Sequence, residues 1–249
     1  MKILVCIDDT DNLESIGTGE LSQIMVDIIK ERGWGTCSTI SRHQLFVHDD
    51  IPYTSHNSSM CFSINFNGKL DELIDFGAGF LETRSAPGSD PGFCVANLDN
   101  GIDREQLMDF GLRAKKEVLS KQGAYDLAKK TGVHLSEHGG TGDGVVGALA
   151  GIGLRLSGSD GRFRGWGHFG AVGTLTTVKE LCSKNHADAV FTVDGNILEL
   201  DTKVMLGAGK VKNMMVNNKS VVMVAPTASK EPSEHVLWRT LNKEEIKQY

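Results

Sequence analysis

Three carboxylates in four residues, Asp8, Asp9 and Asp11, end the apolar run Ile3-Leu4-Val5-Cys6-Ile7, and Gly17-Thr18-Gly19 follows a few residues later. Carboxylates at a strand end can hold a hard cation such as Mg²⁺, which takes oxygen ligands and commonly shares its shell with phosphate. A helix opening near Thr18 presents unsatisfied N–H groups at its start, a ready anion site. Cation and phosphate can therefore meet within the first twenty residues. The same residue types are also those of an Asp/Asn turn and a capped helix, with Thr18 as the cap. On the residues alone both readings stand.

Strand alternation would put Asp9 and Asp11 on one face with Asp8 pointing elsewhere, although a loop can turn any two of them inward, and close carboxylates stay ionised cheaply only beside a compensating cation. Asp9-x-Asp11 after an apolar strand also matches the start of a haloacid-dehalogenase-type phosphatase, with Asp9 as nucleophile and Asp11 as general acid. The second notable stretch is His138-Gly139-Gly140-Thr141-Gly142-Asp143-Gly144. A Gly-rich loop ahead of a helix can cradle phosphate with backbone N–H groups, or can simply be a surface loop. Arg42, His43 and His56 flank the 48–57 loop and are the nearest basic groups in sequence to the acidic turn.

The elements that must position these residues read as α+β. Residues 2–7 form a buried strand. Leu21, Ile24, Met25, Ile28 and Ile29 recur at helical spacing over 19–32, with Gly33 as the stop. Strands near 36–47 and 59–66, a helix near 69–80 and a strand over 93–96 complete a ferredoxin-like βαββαβ order. A helix follows over 103–121, capped by Asp103, then a short helix over 124–131. The small-residue apolar run 145–154 reads as a buried helix, and it offers a surface for a homo-oligomer. Ser157 to Gly167 reads as a linker, and the chain divides into 1–157 and a β-rich 158–249. In the latter, Asp194-Gly195-Asn196 and Asn217-Asn218-Lys219 signal hairpins, and the tail after Pro226 reads as surface. Lys203, Lys210, Lys212 and Lys219 make these hairpins mildly basic, which serves edge protection or RNA contact.

At 249 residues with 40% hydrophobic and 23% charged content, the composition is that of an ordinary globular protein. A net charge of −6 speaks against broad non-specific nucleic-acid binding. Five scattered cysteines without a Cys-x-x-Cys pair suggest neither a zinc ribbon nor a disulfide framework. No signal peptide or membrane span is visible, and a cytoplasmic location is the expectation.

Three collinear stretches carry a family resemblance over about 1–155. Ile7-Asp8-Asp9-Thr10-Asp11-Asn12 with Ile16-Gly17-Thr18 resembles the N-terminus of the archaeal tRNA-Ile agmatinylcytidine synthetases. Ser89-Asp90-Pro91-Gly92 is similar to that family's T-N-P-G, and 142–153 is similar to its G-R-G-L-I-G-A-L-A-A-I-G. The resemblance implies an ATP- and Mg²⁺-dependent, kinase-like region beside a ferredoxin-like one. In that family ATP activates a cytidine C2 carbonyl for attack by agmatine. Carried over, Asp8, Asp9 and Asp11 serve metal and phosphate, and Thr18 is a phosphate contact or acceptor. Gly17 and Gly19 flank that acceptor, and Gly139, Gly140, Thr141, Gly142, Asp143 and Gly144 belong to the nucleotide site. The chain departs from the family in three places. Its G-M-C-T-T turn reads Ile16-Gly17-Thr18-Gly19 here, and its K-T-R-G-N stretch corresponds to Tyr53-Thr54-Ser55-His56-Asn57, which lacks both cations. There is also no cysteine-rich ribbon. The expectation is a phosphoryl- or nucleotidyl-activating enzyme whose acceptor is a small molecule or an RNA. A nucleotide sensor without turnover and the phosphatase are the alternatives.

Overall fold

A computed structural model describes residues 1–51, 57–227 and 238–248. Tyr53, Thr54, Ser55 and His56 of the basic-loop correspondence lie outside the described residues. The chain divides into two compact units, Met1–Ser157 and Gly158–Tyr249.

The first unit is built on β1 (Lys2–Asp8), α1 (Thr18–Glu31), β2 (Gly35–Cys37), β3 (Ser41–Gln44) and β4 (Ser58–Phe66). It continues with α2 (Leu70–Arg84), β5 (Gly92–Asn97), α3 (Arg104–Arg113), α4 (Lys121–Thr131), β6 (His134–Glu137) and α5 (Gly144–Ser157). The class is α+β, and the order over 2–97 is βαβββαβ, because the strand expected near 36–47 lies in two pieces. Within this unit the strands run β6-β5-β1-β4-β3, with β2 beside the far end of β4, and every pairing is antiparallel.

β1 is apolar throughout because it is covered on both faces. Ile3, Val5 and Ile7 join Leu21, Met25 and Ile29 of α1 and Leu73, Phe80 and Leu81 of α2 in one cluster. Leu4 and Cys6 belong to the opposite cluster, with Leu107 and Phe110 of α3 and Leu149 and Ile152 of α5. The strand therefore has nowhere to put a charge until its end, where Asp8 pairs in register with Gly92.

α5 is buried along its length, and its glycines let it lie on neighbouring backbone. A Cβ at Gly153 would overlap the Leu107 carbonyl of α3, and one at Gly151 would overlap Cys6 Sγ. The apolar residues of 145–154, expected to offer a subunit surface, are thus covered by this chain's own sheet and α3.

Several element bounds differ from expectation. The 36–47 strand breaks into β2 and β3 because Ser38 Oγ accepts the Ser63 N–H (3.0 Å) and interrupts the ladder. The 103–121 helix stops at Arg113, where the Ala114 carbonyl accepts the Phe46 N–H (2.9 Å) instead of continuing the helix. Strand β6 was not anticipated.

The second unit contains β7 (Arg162–Phe163), β8 (Gly167–His168), β9 (Leu175–Thr177), α6 (Val178–Asn185), β10 (Ala189–Thr192) and β11 (Lys203–Met205). After these come β12 (Lys210–Val211), β13 (Asn213–Val216), β14 (Lys219–Pro226), β15 (Trp238–Thr240) and α7 (Lys243–Ile246). The Asn217-Asn218 hairpin joins β13 to β14, both asparagines adopting the positive φ that a two-residue turn requires. The turn expected at Asp194-Gly195-Asn196 is formed, with Thr192 N–H donating to the Asn196 carbonyl (2.8 Å) and Leu198 N–H to the Val190 carbonyl (3.0 Å), but its second arm makes only one isolated antiparallel bridge, Phe191 to Ile197. On its other edge β10 pairs in parallel with β14. Nor is the tail after Pro226 all surface. β15 pairs with β11 and β14, and Leu241 and Ile246 are buried against Phe191, Met214 and Met223.

Arg239 donates to both oxygens of Glu245 (2.8 and 2.6 Å), and this holds the Glu245 carboxyl down at about 2. A carboxyl lowered in the folded state stabilises above its ordinary value of 4.5, and that contribution is lost as pH falls towards 2. Arg239→Gln is expected to cost about 1 kcal/mol at pH 7 and less at pH 3, read from urea midpoints at the two pH values.

Candidate functional site

The end of β1 and the turn after it carry the site. Asp9 sits at φ 49°, a left-handed conformation that Asp tolerates better than most residues. The turn is tied to the loop after α2, where Ala86 N–H donates to the Thr10 carbonyl (2.9 Å) and Asn12 Nδ2 donates to the Pro87 carbonyl (3.2 Å).

Thr18 opens α1 but does not cap it. Gly17 is the N-cap residue. The Thr18 hydroxyl instead donates to Asp11 Oδ1 (2.7 Å) and accepts from Thr10 N–H (3.3 Å) and Thr10 Oγ1 (3.1 Å). A buried hydroxyl aimed at a carboxylate is the arrangement a phosphoryl acceptor needs, since its proton has a destination.

The three carboxylates do not share one environment. Asp8 is buried against α5, where a Cβ at Gly147 would overlap its Oδ2. Burial first, and then the Asp9 charge, push its carboxyl well above the usual range. Asp9 is half-buried, and burial followed by the charges of Asp90, Asp11 and Asp143 raise it from 3.8 to about 6. Asp90 and Asp143 thus belong to the acidic cluster. Asp143 was expected and Asp90 was not, although Asp90 stands in the Ser89-Asp90-Pro91-Gly92 motif.

A cavity of about 210 Å³ in the first unit is lined by Asp8, Asp9, Asp11, Thr18, Asp143 and Gly144 among others. Its apolar wall includes Leu45, Val118 and Val146, and Asp50 and Glu117 add two carboxylates. Lys121 is the one Lys or Arg among the described lining residues. Gly17, Gly19, Gly139, Gly140, Thr141 and Gly142 lie outside the lining. The Gly-rich loop already spends two N–H groups, those of Thr141 and Gly142, on Asp90 Oδ1, the Gly142 bond being 3.2 Å. A carboxylate of the same chain therefore occupies two of the loop's N–H groups. Arg42 and His43 lie on β3 outside the cavity lining, Arg42 Nε donating to Ser58 Oγ (3.0 Å) and His43 being fully buried.

Among the described residues no group of three or more His, Cys, Asp or Glu forms a ready metal cage. The three-carboxylate seat expected of Asp8, Asp9 and Asp11 is therefore not preformed. A Mg²⁺ ion that takes one or two carboxylates and fills its shell with water and phosphate still fits, because Asp9, Asp11 and Asp143 offer oxygen ligands along the cavity lining.

Solved structures share this architecture. The apo form of TiaS, an agmatidine synthetase acting on an isoleucine tRNA, superposes with a TM-score of 0.53 at 23% identity, over 61% of this chain and 35% of that one. The complex of TiaS with that tRNA and ATP gives 0.54 at 25% identity, over 61% and 36%. The chain resembles the catalytic half of TiaS. The complex of TiaS with the same tRNA, AMPCPP and agmatine matches over 96% of this chain and 59% of its own at 17% identity, with a TM-score of 0.54. The likeness thus extends in fold beyond the part matched at higher identity. The chain spans between about a third and three fifths of the length of these TiaS structures. No protein-family model matches the chain, and no curated protein matches it significantly. Among the described residues no helix is long and apolar enough to cross a membrane.

Proposed function

We propose that the first unit is an ATP- and Mg²⁺-dependent phosphoryl- or nucleotidyl-activating catalytic region related to that of TiaS. The observation that carries the reading is the bond from Thr18 Oγ1 to Asp11 at the edge of a cavity that Asp9 and Asp143 also line. Likeness to a TiaS complex that contains ATP supports the nucleotide, and the residues support its placement. Asp9 and Asp11, with Asp8 behind them, are the carboxylates that serve the cation, which when bound neutralises phosphate charge. Thr18 is the acceptor or contact of the transferred phosphate. As an acceptor, Thr18 Oγ1 would bond to the γ-phosphorus while the bond from that phosphorus to the bridging oxygen breaks and ADP leaves, and Asp11, which accepts the Thr18 hydrogen bond, would take the proton. Six carboxylates line the cavity against one lysine, which favours a small cationic acceptor such as the agmatine of a TiaS complex over a polyanion reaching in alone. An RNA that delivers one base remains compatible with the second unit's hairpin lysines.

The test is incubation with ATP, with and without Mg²⁺, followed by mass spectrometry of the protein and of released ADP and AMP. Mg²⁺-dependent nucleotide release, or phosphate on Thr18, is the expected result. Thr18→Ala should remove any phosphate on the protein, and Thr18→Ser should keep it, because only the hydroxyl is needed. Binding of ATP without any product would leave the nucleotide-sensor reading standing. Hydrolysis of a phosphoester in the absence of ATP would favour the phosphatase.

A further inference from the structure

We propose that Lys121 is the cation that contacts the terminal phosphates of a nucleoside triphosphate in this cavity. The inference rests on the nucleotide reading of the cavity and assigns a residue that no motif marks.

Lys121 is the first residue of α4, after the N-cap Ser120, whose hydroxyl accepts the Gly123 N–H (3.1 Å). Its ammonium does not wander as an exposed lysine would. It is bonded to Glu137 Oε2 on β6 and donates to the Thr141 carbonyl of the Gly-rich loop (2.7 Å). That carbonyl is itself placed by Asp90, which accepts the Thr141 and Gly142 N–H groups. Two of the three ammonium donors are thereby used in fixing the group, and a third is left for a ligand. The Glu137 bond is the main cause that raises the Lys121 pKa, with the Asp143 charge adding to it, so the cation stays charged at neutral pH.

Position supplies the rest. Lys121 lines the same cavity as Asp9, Asp11, Thr18 and Asp143. A polyphosphate in this cavity faces six carboxylates, and a cation at Asp9 neutralises only part of that field. Lys121 is the protein's own counter-charge. The arrangement also gives the Gly-rich loop a different task from a phosphate cradle. Through Asp90 and Thr141 it aims an ammonium.

The experiment is calorimetric titration of Mg²⁺-ATP, AMP and Mg²⁺-tripolyphosphate into the full chain and into Lys121→Ala, Lys121→Arg and Glu137→Gln, with thermal melts as the folding control. Lys121→Ala should weaken ATP and tripolyphosphate roughly tenfold to a hundredfold, the scale of a charge-assisted hydrogen bond, and leave AMP within about twofold. Lys121→Arg should recover part of the loss, since charge is kept while reach and geometry change. Glu137→Gln, which removes the partner's charge but keeps an oxygen that accepts from the ammonium, should keep ATP affinity within about threefold. Unchanged ATP affinity in Lys121→Ala overturns the proposal, as does an equal loss for AMP or an equal loss in Glu137→Gln, which would make the pair a structural latch. Wild-type protein that binds tripolyphosphate through Lys121 but not ATP refutes the nucleotide reading and keeps the phosphate contact. Wild-type protein that binds neither refutes both.

Discussion

Asp9→Asn is expected to lower Mg²⁺-dependent ATP turnover by at least about a hundredfold while making the metal-free protein more stable at pH 7. Asn is the right probe because Asp9 occupies a left-handed backbone position that Asn accepts as readily. Any change then comes from the charge. Asp9 is raised from 3.8 to about 6 by burial and three neighbouring aspartates, so between these values the folded chain binds more protons than the unfolded one. Stability therefore falls as pH rises through that window, and the full cost stands above pH 6. Removing the charge should recover roughly 1–2 kcal/mol at pH 7–8, after allowance for solvent screening at a half-buried site, and almost nothing at pH 4. Adding Mg²⁺ should stabilise the wild type and not the variant. Denaturant melts at pH 4 and pH 7.5, each with and without Mg²⁺, read all of this. A variant less stable than wild type at pH 7.5 without metal would mean that Asp9 serves the fold.

Gly92→Ala carries the second large effect, on the fold that holds the site. Gly92 pairs with Asp8 at the end of β1, and a Cβ there would overlap the Gly144 carbonyl carbon and oxygen and the Val145 nitrogen. Gly144 in turn lies against the Asp90 carbonyl, so two backbones meet with no side chain on either. Backbone cannot swing away as a side chain can. α5 would have to lift from the sheet, taking Asp143 and Gly147 with it, at a cost of about 3 kcal/mol or more. A fall of that size in the urea midpoint, with nucleotide affinity lost in proportion, is expected. Gly88→Ala is the contrast. That position has open space but a positive φ, and should cost only about 1 kcal/mol.

Much of this was legible in the chain. β1 reads as buried because an uninterrupted apolar run has to be covered on both faces, and α1 reads as a helix because Leu21, Met25 and Ile29 recur on one face. The α5 glycines read as close packing for the same local reason. The second unit was read less well. The Asp194-Gly195-Asn196 turn is a true local signal and it closes, but β10 also pairs in parallel with β14, with Val190 in register with Val222, and spacing holds no record of that. Leu241 and Ile246 follow Val236-Leu237-Trp238 in a tail that is otherwise mostly polar, and only packing shows them buried.

The sequence by itself determined which residues carry charge and hydroxyl at the end of β1, because side-chain chemistry and strand or helix period are properties of neighbours along the chain. What each of them does there was decided by the tertiary structure. It turned Thr18 from a helix cap into the donor to Asp11, seven residues away, and gave the Gly-rich loop's N–H groups to Asp90, fifty-one residues away. It also brought Lys121 to the cavity that the aspartates open onto. Hydrogen bonds and charges act through space at a few ångströms, and the distance between two side chains is set by how helices and strands pack, which spacing along the chain does not encode.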